Sequence, residues 1–241
     1  MNPTPTAILF DLDDTLHDDS LAYRRAAGIV ATTMAPERGV VAERLLDAYV
    51  READGFWQTL SPSAFTASLA GLRAKMWAAA LREVGIDDDA LAQRCAVAYD
   101  DARRGALELW PGVTELLAGL RAAGMKLGLI TNGFVETHRE KIELLGLTAS
   151  FDTVLIADDV GLLKPDPEIF LLAARRLGVA PERCVMVGDR FERDVTGAHA
   201  AGMRAVWLDL HGTGVPAGER APEAVVDSIG AAAALLLPLP V

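Results

Sequence analysis

Residues 6–15, TAILFDLDDT, join a short apolar run to a run of carboxylates. The first five of these residues form a short, mostly apolar run without helical spacing, and the run ends abruptly in carboxylates. Such a run, bounded by polar residues, indicates a short strand buried in a sheet and followed by a polar loop. Asp11 and Asp13 therefore stand directly beyond the end of a predicted buried strand.

Strand and helix signals alternate regularly after about residue 106. Strands are predicted at 126–131, 153–157, 184–187 and 204–208. Helices are predicted at 113–123, 136–145, 167–177 and 194–201. Alternating elements with short connections imply a parallel sheet that is covered by helices on both faces. The sequence thus predicts an α/β protein with a Rossmann-like core.

The segment between the first strand and about residue 106 consists mainly of amphipathic stretches. Helices are predicted at 20–34, 37–52, 62–84 and 88–104. Ser61 followed by Pro62 predicts the start of the third helix, with serine as the N-cap and proline in the first helical position. We therefore predict a core formed by residues 1–16 and 106–241, and an all-helical cap domain at 17–105, inserted after the first strand.

Composition limits the classes of function. The chain has 241 residues, a formal net charge of -11 and two cysteines, Cys95 and Cys184, which are expected to be buried and reduced. The negative charge argues against a nucleic acid polymer or an anionic membrane as partner. Without a secretory leader or a long apolar run, a soluble cytoplasmic protein is expected, as a monomer or homodimer.

The polar residues that follow the predicted strands carry the chemistry. They are Asp11 and Asp13 after the first strand, Thr131 and Asn132 after the second, Lys164 after the third, and Asp189 and Asp194 after the fourth. Ligands of open parallel sheets bind beyond the carboxyl ends of the strands, so these side chains are expected to converge. Crowded carboxylates need a cation, and all-oxygen ligation favours Mg²⁺.

Such a set suits phosphoryl transfer, which depends on charge stabilisation and in-line placement. Asp11 is the predicted nucleophile, and Asp13 the group that protonates the leaving oxygen and later activates water. Lys164 offsets the negative charge of the nucleophile and the phosphate. Thr131 and nearby backbone N–H groups are expected to hold phosphate oxygens.

Four segments, taken in order, resemble the haloacid dehalogenase superfamily in its phosphatase branch with a helical cap. They are DLDDT at 11–15, ITN at 130–132, Lys164 in KPDPEIF, and GDRFERD at 188–194. The resemblance implies phosphate contacts at Thr131, Asn132 and Lys164, and a cap that closes over a small phosphorylated metabolite. It implies Mg²⁺ ligation by Asp11, the backbone carbonyl of Asp13, Asp189 and, directly or through water, Asp194. The second motif continues as TNG at 131–133, a form that resembles family members acting on nucleoside monophosphates or sugar phosphates.

Alternatives remain at this point. A calcium loop starting at Asp11 fails because Leu16 and Ala22 stand where glycine and glutamate are needed. Carbon–halogen hydrolysis would not need an acid at Asp13. A phosphomutase stays open, and a non-enzymatic aspartyl-phosphate switch is disfavoured by the chain length. Asp194 could also cap a helix, and the histidines, His17 and His138 included, are expected to have surface or core roles.

Overall fold

The computed structural model describes residues 4–237. The chain divides into two compact units, Met1–Asp18 with Leu109–Val241, and Asp19–Glu108. The boundaries that the sequence suggested, after residues 16 and 105, lie two and three residues before these. The ends of the predicted core, residues 1–3 and 238–241, lie outside the described residues.

The first unit is built on a six-stranded sheet in which every neighbouring pair is parallel. Its strands are β1 (Ala7–Phe10), β2 (Lys126–Thr131), β3 (Thr153–Ile156), β4 (Cys184–Gly188), β5 (Arg204–Leu208) and β6 (Ala224–Val226). Their order across the sheet is β3-β2-β1-β4-β5-β6. The predicted Rossmann-like α/β core is confirmed. The short strand β6, at the edge of the sheet, was missed because its three residues carry little pattern.

The second unit is all-helical in its described elements. It contains α1 (Asp19–Met34), α2 (Ala42–Gln58), α3 (Leu69–Glu83) and α4 (Asp89–Arg104). Their facing sides bury an aromatic cluster in which Tyr49 stacks on Trp77 at 3.9 Å between ring centroids. Such stacking adds to the hydrophobic contribution of the two large side chains.

Two helix starts in this unit differ from the prediction. The predicted helix at 37–52 begins at Ala42, because Ala35–Arg38 forms a 3-10 turn that ends at Gly39 with φ 69°. The predicted N-cap at Ser61 is wrong: Pro62–Thr66 is a 3-10 turn, and the helix begins at Leu69. Ser68 caps it, with its side-chain oxygen accepting from the N–H of Gly71.

In the described part of the first unit, five helices precede or separate the strands, and a sixth follows the last strand. They are α5 (Val113–Ala122), α6 (Val135–Leu144), α7 (Ala157–Val160), α8 (Pro167–Leu177), α9 (Thr196–Ala200) and α10 (Ile229–Leu236). Asp166 caps α8 through the N–H of Glu168, as the sequence predicts, and Gly178 ends it with φ 67°. The helix predicted at 194–201 instead starts with a π-helical turn over Phe191–Val195.

The strand order fixes where a site can form. β1 lies between β2 and β4, with Phe10 in register with Leu129 on one side and Val187 on the other. The chain runs from β1 to β2 and β3 on one side, and from β4 to β5 and β6 on the other. β1 and β4 therefore flank the topological switch point, where a crevice opens at their carboxyl ends. Asp11 enters that crevice directly, and its N–H still donates to the carbonyl of Val187 at 2.9 Å.

Within residues 4–237, no helix combines the length and the apolar character needed to cross a bilayer.

Candidate active site

Three carboxylates meet at the carboxyl end of β1 and β4. Oxygens of Asp11, Asp189 and Asp194 all lie within 4.8 Å of one another. Asp11 and Asp194 are buried. Asp189 follows β4 directly, and the indole of Trp207 on β5 donates to its backbone carbonyl at 2.8 Å. Neighbouring strands therefore hold the cluster in place.

Lys164 bridges two of these carboxylates. Its Nζ lies 2.8 Å from Oδ1 of Asp11 and 2.6 Å from Oδ1 of Asp194, and the side chain is 2% exposed. Burial favours the neutral amine, but the charges of Asp11 and Asp194 raise the pKa of Lys164 above its ordinary value. The lysine is therefore a fixed positive charge against Asp11.

One lysine does not neutralise the cluster. Burial, opposed by Lys164 and assisted by the charge of Asp194, raises the pKa of Asp11 to about 6. Burial and then the charges of Asp11 and Asp194 raise the pKa of Asp189 well above its usual value. Burial and, to a smaller extent, the neighbouring carboxylates thus disfavour the ionised forms of Asp11 and Asp189, and a bound cation would offset both effects.

The donor set fits a hard divalent cation. All three side chains offer carboxylate oxygens, which such ions prefer, and the cluster contains no sulfur or imidazole ligand. The carboxylate of Asp13 lies outside this cluster and contacts the side chains described below. Asp11, Asp189 and Asp194 are the residues that could hold the ion.

Asp194 lies inside the π-helical turn and does not cap α9, whose N-cap is Val195. Its Oδ2 accepts from the N–H of Arg190 at 3.0 Å, while Oδ1 faces Lys164. A Cβ on residue 188 would lie 2.3 Å from Oδ2 of Asp194. Gly188 is thus needed for the close approach of this carboxylate to β4.

Thr131 and Asn132, the polar residues of the second motif, have different surroundings. Thr131 is the last residue of β2 and is buried at the same edge of the sheet as Asp11. Asn132 directs its side chain to the backbone of Lys164 instead: Nδ2 donates to the carbonyl and Oδ1 accepts from the N–H, both at 2.9 Å. The side-chain amide of Asn132 thus holds the Lys164 loop, whereas the family resemblance assigns it to the phosphate.

Asp13 lies in a different group of side chains. Nζ of Lys141 lies 2.6 Å from its Oδ1, Nε2 of His17 lies 2.9 Å from Oδ1, and Nε2 of His138 lies 3.3 Å from Oδ2. Burial opposes ionisation of Asp13, but the charges of Lys141 and His138, with the hydrogen bond between Asp13 and His17, hold its pKa well below the ordinary value. The free protein thus presents Asp13 as a carboxylate.

Sequence reasoning missed Lys141 and assigned His17 and His138 to surface or core roles. All three are buried beside Asp13. A weak signal was present, because His138 and Lys141 are three residues apart and so share one face of the helix that follows the second motif. His17 likewise follows Asp13 by four residues, although Thr15 and Leu16 between them form a turn rather than a helix.

Comparisons with known proteins identify the family of the chain. The model of the haloacid dehalogenase-like hydrolase family matches residues 5–202. The chain is 35% identical to the glyceraldehyde 3-phosphate phosphatase of Methanopyrus kandleri over 201 residues, which cover 83% of this chain and 82% of that protein. It is 35% identical to the phosphoserine phosphatase of Thermus thermophilus over 221 residues, covering 84% and 88%.

A solved structure is also similar over nearly the whole chain. The 2-haloacid dehalogenase from Pseudomonas syringae pv. Tomato DC3000 matches with a TM-score of 0.65 and 31% identity, covering 97% of this chain and 98% of that one. Proteins named as phosphatases and a protein named as a dehalogenase are therefore both similar to this chain.

Proposed function

Because the chain belongs to the haloacid dehalogenase-like hydrolase family, we propose that it hydrolyses small phosphomonoesters through an aspartyl-phosphate formed on Asp11, with Mg²⁺ bound beside it. The predicted family is confirmed by the family match, and the predicted reaction class by relatives that are named as phosphatases. One observation carries the site assignment. Asp11 sits at the switch point of the sheet, 2.8 Å from a buried lysine and inside a cluster of carboxylates.

The first step is attack of an Asp11 oxygen on phosphorus. The new oxygen–phosphorus bond forms while the ester bond to the leaving oxygen breaks, and Asp13 gives that oxygen a proton, so the alcohol departs. Lys164 offsets the charge on Asp11 and the phosphoryl group, and Thr131 donates to a phosphate oxygen. The phosphate dianion brings negative charge towards Asp13, which raises the pKa of that carboxyl in the complex.

The second step uses Asp13 as a base. Its carboxylate takes a proton from water as the water oxygen bonds to phosphorus and the Asp11–phosphorus linkage breaks. Inorganic phosphate leaves, and Asp13 returns to the carboxylate form of the free protein until the next ester raises its pKa again. The carboxylate form of Asp13 in the free protein suits this half of the cycle.

Asp11, Asp189 and Asp194, with the backbone carbonyl of Asp13, are the residues that would hold Mg²⁺. When bound, the ion would supply positive charge that allows a phosphoryl group to approach three carboxylates. The helical unit, residues 19–108, is proposed as the cap that the family pattern implies.

Carbon–halogen hydrolysis is the second candidate, favoured by the similarity to a 2-haloacid dehalogenase. Halide leaves as a stable anion and needs no proton donor at Asp13. Here Asp13 is held by Lys141 and two histidines, an arrangement that this chemistry would not require. Turnover of 2-chloropropionate in the presence of a chelator, without turnover of phosphomonoesters, would establish the dehalogenase instead.

The substrates of the relatives suggest where a screen should start. Glyceraldehyde 3-phosphate and phosphoserine are both three-carbon phosphomonoesters of a primary alcohol, whose alkoxide is a poor leaving group. Such esters depend strongly on an acid such as Asp13. We propose them as the first test substrates, beside sugar phosphates and nucleoside monophosphates.

Removal of the nucleophile tests the proposal directly. Asp11→Asn should lower kcat for p-nitrophenyl phosphate by about 10³-fold or more, since loss of a nucleophile costs up to about 10⁶-fold in well-studied hydrolases. Steady-state kinetics with Mg²⁺ measure this, and far-UV circular dichroism checks the fold. Brief incubation of the wild-type protein with a substrate labelled at phosphorus, followed by an acid quench, should trap the labelled phosphoryl group on Asp11. Near-normal turnover by the variant would contradict the nucleophile assignment.

A further inference from the structure

A buried lysine lies outside the predicted site residues. The side chain of Lys141, on α6, is 8% exposed, and its Nζ lies 2.6 Å from Oδ1 of Asp13. A lysine is rarely buried unless its charge is matched, because removing the ammonium group from water is costly. The ion pair joins residues 128 positions apart in sequence, so it is a product of the tertiary fold.

Asp13 receives contacts on both carboxylate oxygens. Lys141 and His17 lie on Oδ1, and His138 lies 3.3 Å from Oδ2. Partners on both oxygens restrict rotation about the Cβ–Cγ bond, which a single partner would not do. The side chain of Asp13 nevertheless keeps 28% of its surface exposed, so one side of the carboxyl stays accessible to a ligand.

The helix that carries Lys141 is anchored to the loop after β2. A Cβ on residue 133 would lie 1.8 Å from Cε1 of His138, so Gly133 allows the imidazole to rest directly on the backbone. Nδ1 of His138 lies 3.1 Å from the carbonyl oxygen of Phe134, which can only accept. The position of α6 is therefore tied to Thr131, two residues before Gly133.

We propose that Lys141 is a positioning residue that holds the carboxyl of Asp13 in line with the leaving oxygen. The inference rests on the proposed function, since it presumes that Asp13 transfers the proton. Lys141 acts through Asp13 and does not contact the substrate. A poorly oriented acid loses part of its advantage, because proton transfer needs near-linear geometry at hydrogen-bond distance.

Leaving-group dependence separates this role from a purely structural ion pair. Lys141→Met keeps most of the length of the side chain, which becomes one heavy atom shorter, and removes the charge. For phosphoserine, or glyceraldehyde 3-phosphate if it is hydrolysed faster, kcat/KM should fall about 10- to 100-fold, less than the 10²–10⁴-fold that complete loss of acid catalysis would cost. This ratio reports only the steps up to release of the alcohol, so it excludes the base role of Asp13 in the second step. For p-nitrophenyl phosphate, whose leaving group needs little protonation, the fall should stay below about threefold.

Three further variants complete the design. Lys141→Arg keeps the charge and should restore most of the alkyl-ester activity, and it serves as the folded variant if Lys141→Met does not fold. Asp13→Asn should show the same leaving-group dependence more strongly, and adding Lys141→Met to it should cost little more. Lys126→Met removes an exposed lysine at the amino end of β2, at the opposite edge of the sheet from Asp11, and should leave both substrates unaffected.

The outcomes separate the positioning role of Lys141 from the acid role of Asp13. Equal losses on both substrates in Lys141→Met, or losses that add fully to those of Asp13→Asn, would overturn the positioning role and leave Asp13 as the acid. An absence of leaving-group dependence in Asp13→Asn itself would overturn the acid role and the positioning role together.

Discussion

Asn132 shows how a single residue can match a motif and still hold an unexpected position. Its amide makes two 2.9 Å hydrogen bonds with the backbone of Lys164, one as donor and one as acceptor. Lys164 in turn contacts Asp11 and Asp194. The side chain that the family pattern places on phosphate therefore also fixes the loop that carries the charge-balancing lysine.

Asn132→Ala should consequently act through Lys164. It removes both hydrogen bonds and leaves a part-buried N–H of Lys164 unsatisfied, at a cost of about 1–3 kcal/mol. The melting temperature should fall by about 2–4 °C for each kcal/mol, and kcat should fall more than KM rises. Thermal melts and steady-state kinetics measure both. An increase in KM with unchanged melting temperature and kcat would instead support direct phosphate binding by Asn132.

Helix ends show what decides the bounds of an element. Ser61–Pro62 and Ser68 are both plausible starts for the third helix by residue type. The structure uses Ser68, whose side chain accepts from the N–H of Gly71, whereas Ser61 contacts the hydroxyl of Ser63. Residues 62–66 form a 3-10 turn with no buried side chain, so no apolar face extends the helix back to Pro62.

Two matched serine substitutions test this boundary. Ser68→Ala should lower the free energy of unfolding by about 0.5–2 kcal/mol, because it removes the cap of α3. Ser61→Ala, an exposed change without a cap to lose, should stay within about 0.5 kcal/mol of the wild type. Urea denaturation of both variants measures the difference. A larger loss for Ser61→Ala would restore the start that the sequence suggested.

At the scale of the whole molecule, the buried carboxylates link stability to pH and metal. In the metal-free protein the pKa of Asp11 is raised from 3.8 to about 6. A raised pKa means that the folded state binds the proton more tightly than the unfolded state does. The stabilisation that protonation of Asp11 contributes is complete below pH 3.8 and is lost as the pH rises through about 6. Mg²⁺ would replace those protons and reverse the loss.

The stabilisation by Mg²⁺ should therefore increase with pH. At about a hundredfold excess over its Kd, the ion should add about 2.7 kcal/mol near pH 7.5 and clearly less near pH 5, where protons on Asp11 and Asp189 compete. Thermal melts with and without Mg²⁺ at both pH values measure the increments. Asp189→Asn should lose most of the increment at pH 7.5. Equal increments at the two pH values would argue against ion binding at this cluster.

Much of the fold could be predicted because its signals are local. The strand at 126–131 and the helix at 167–177, with Asp166 as N-cap, have the predicted bounds, since apolar runs and capping residues act over a few positions. The edge strand β6 and the π-helical turn at Phe191–Val195 were not predicted, because neither leaves a periodic pattern. Asp194 lies in that turn, so its contact with Lys164 could not be foreseen in detail.

The α/β class could be predicted from the sequence, as could the polar residues at or beyond the carboxyl end of the buried strands, Asp11, Thr131, Lys164 and Asp189 among them. Parallel strands share one carboxyl edge, so chain order is enough to bring such residues to one side of the sheet. The neighbours of Asp13 could not be predicted, because tertiary packing brings them together. Lys141 and His138 come from a helix more than a hundred residues later in the chain, and their contacts depend on helix packing against Gly133, which no local pattern encodes.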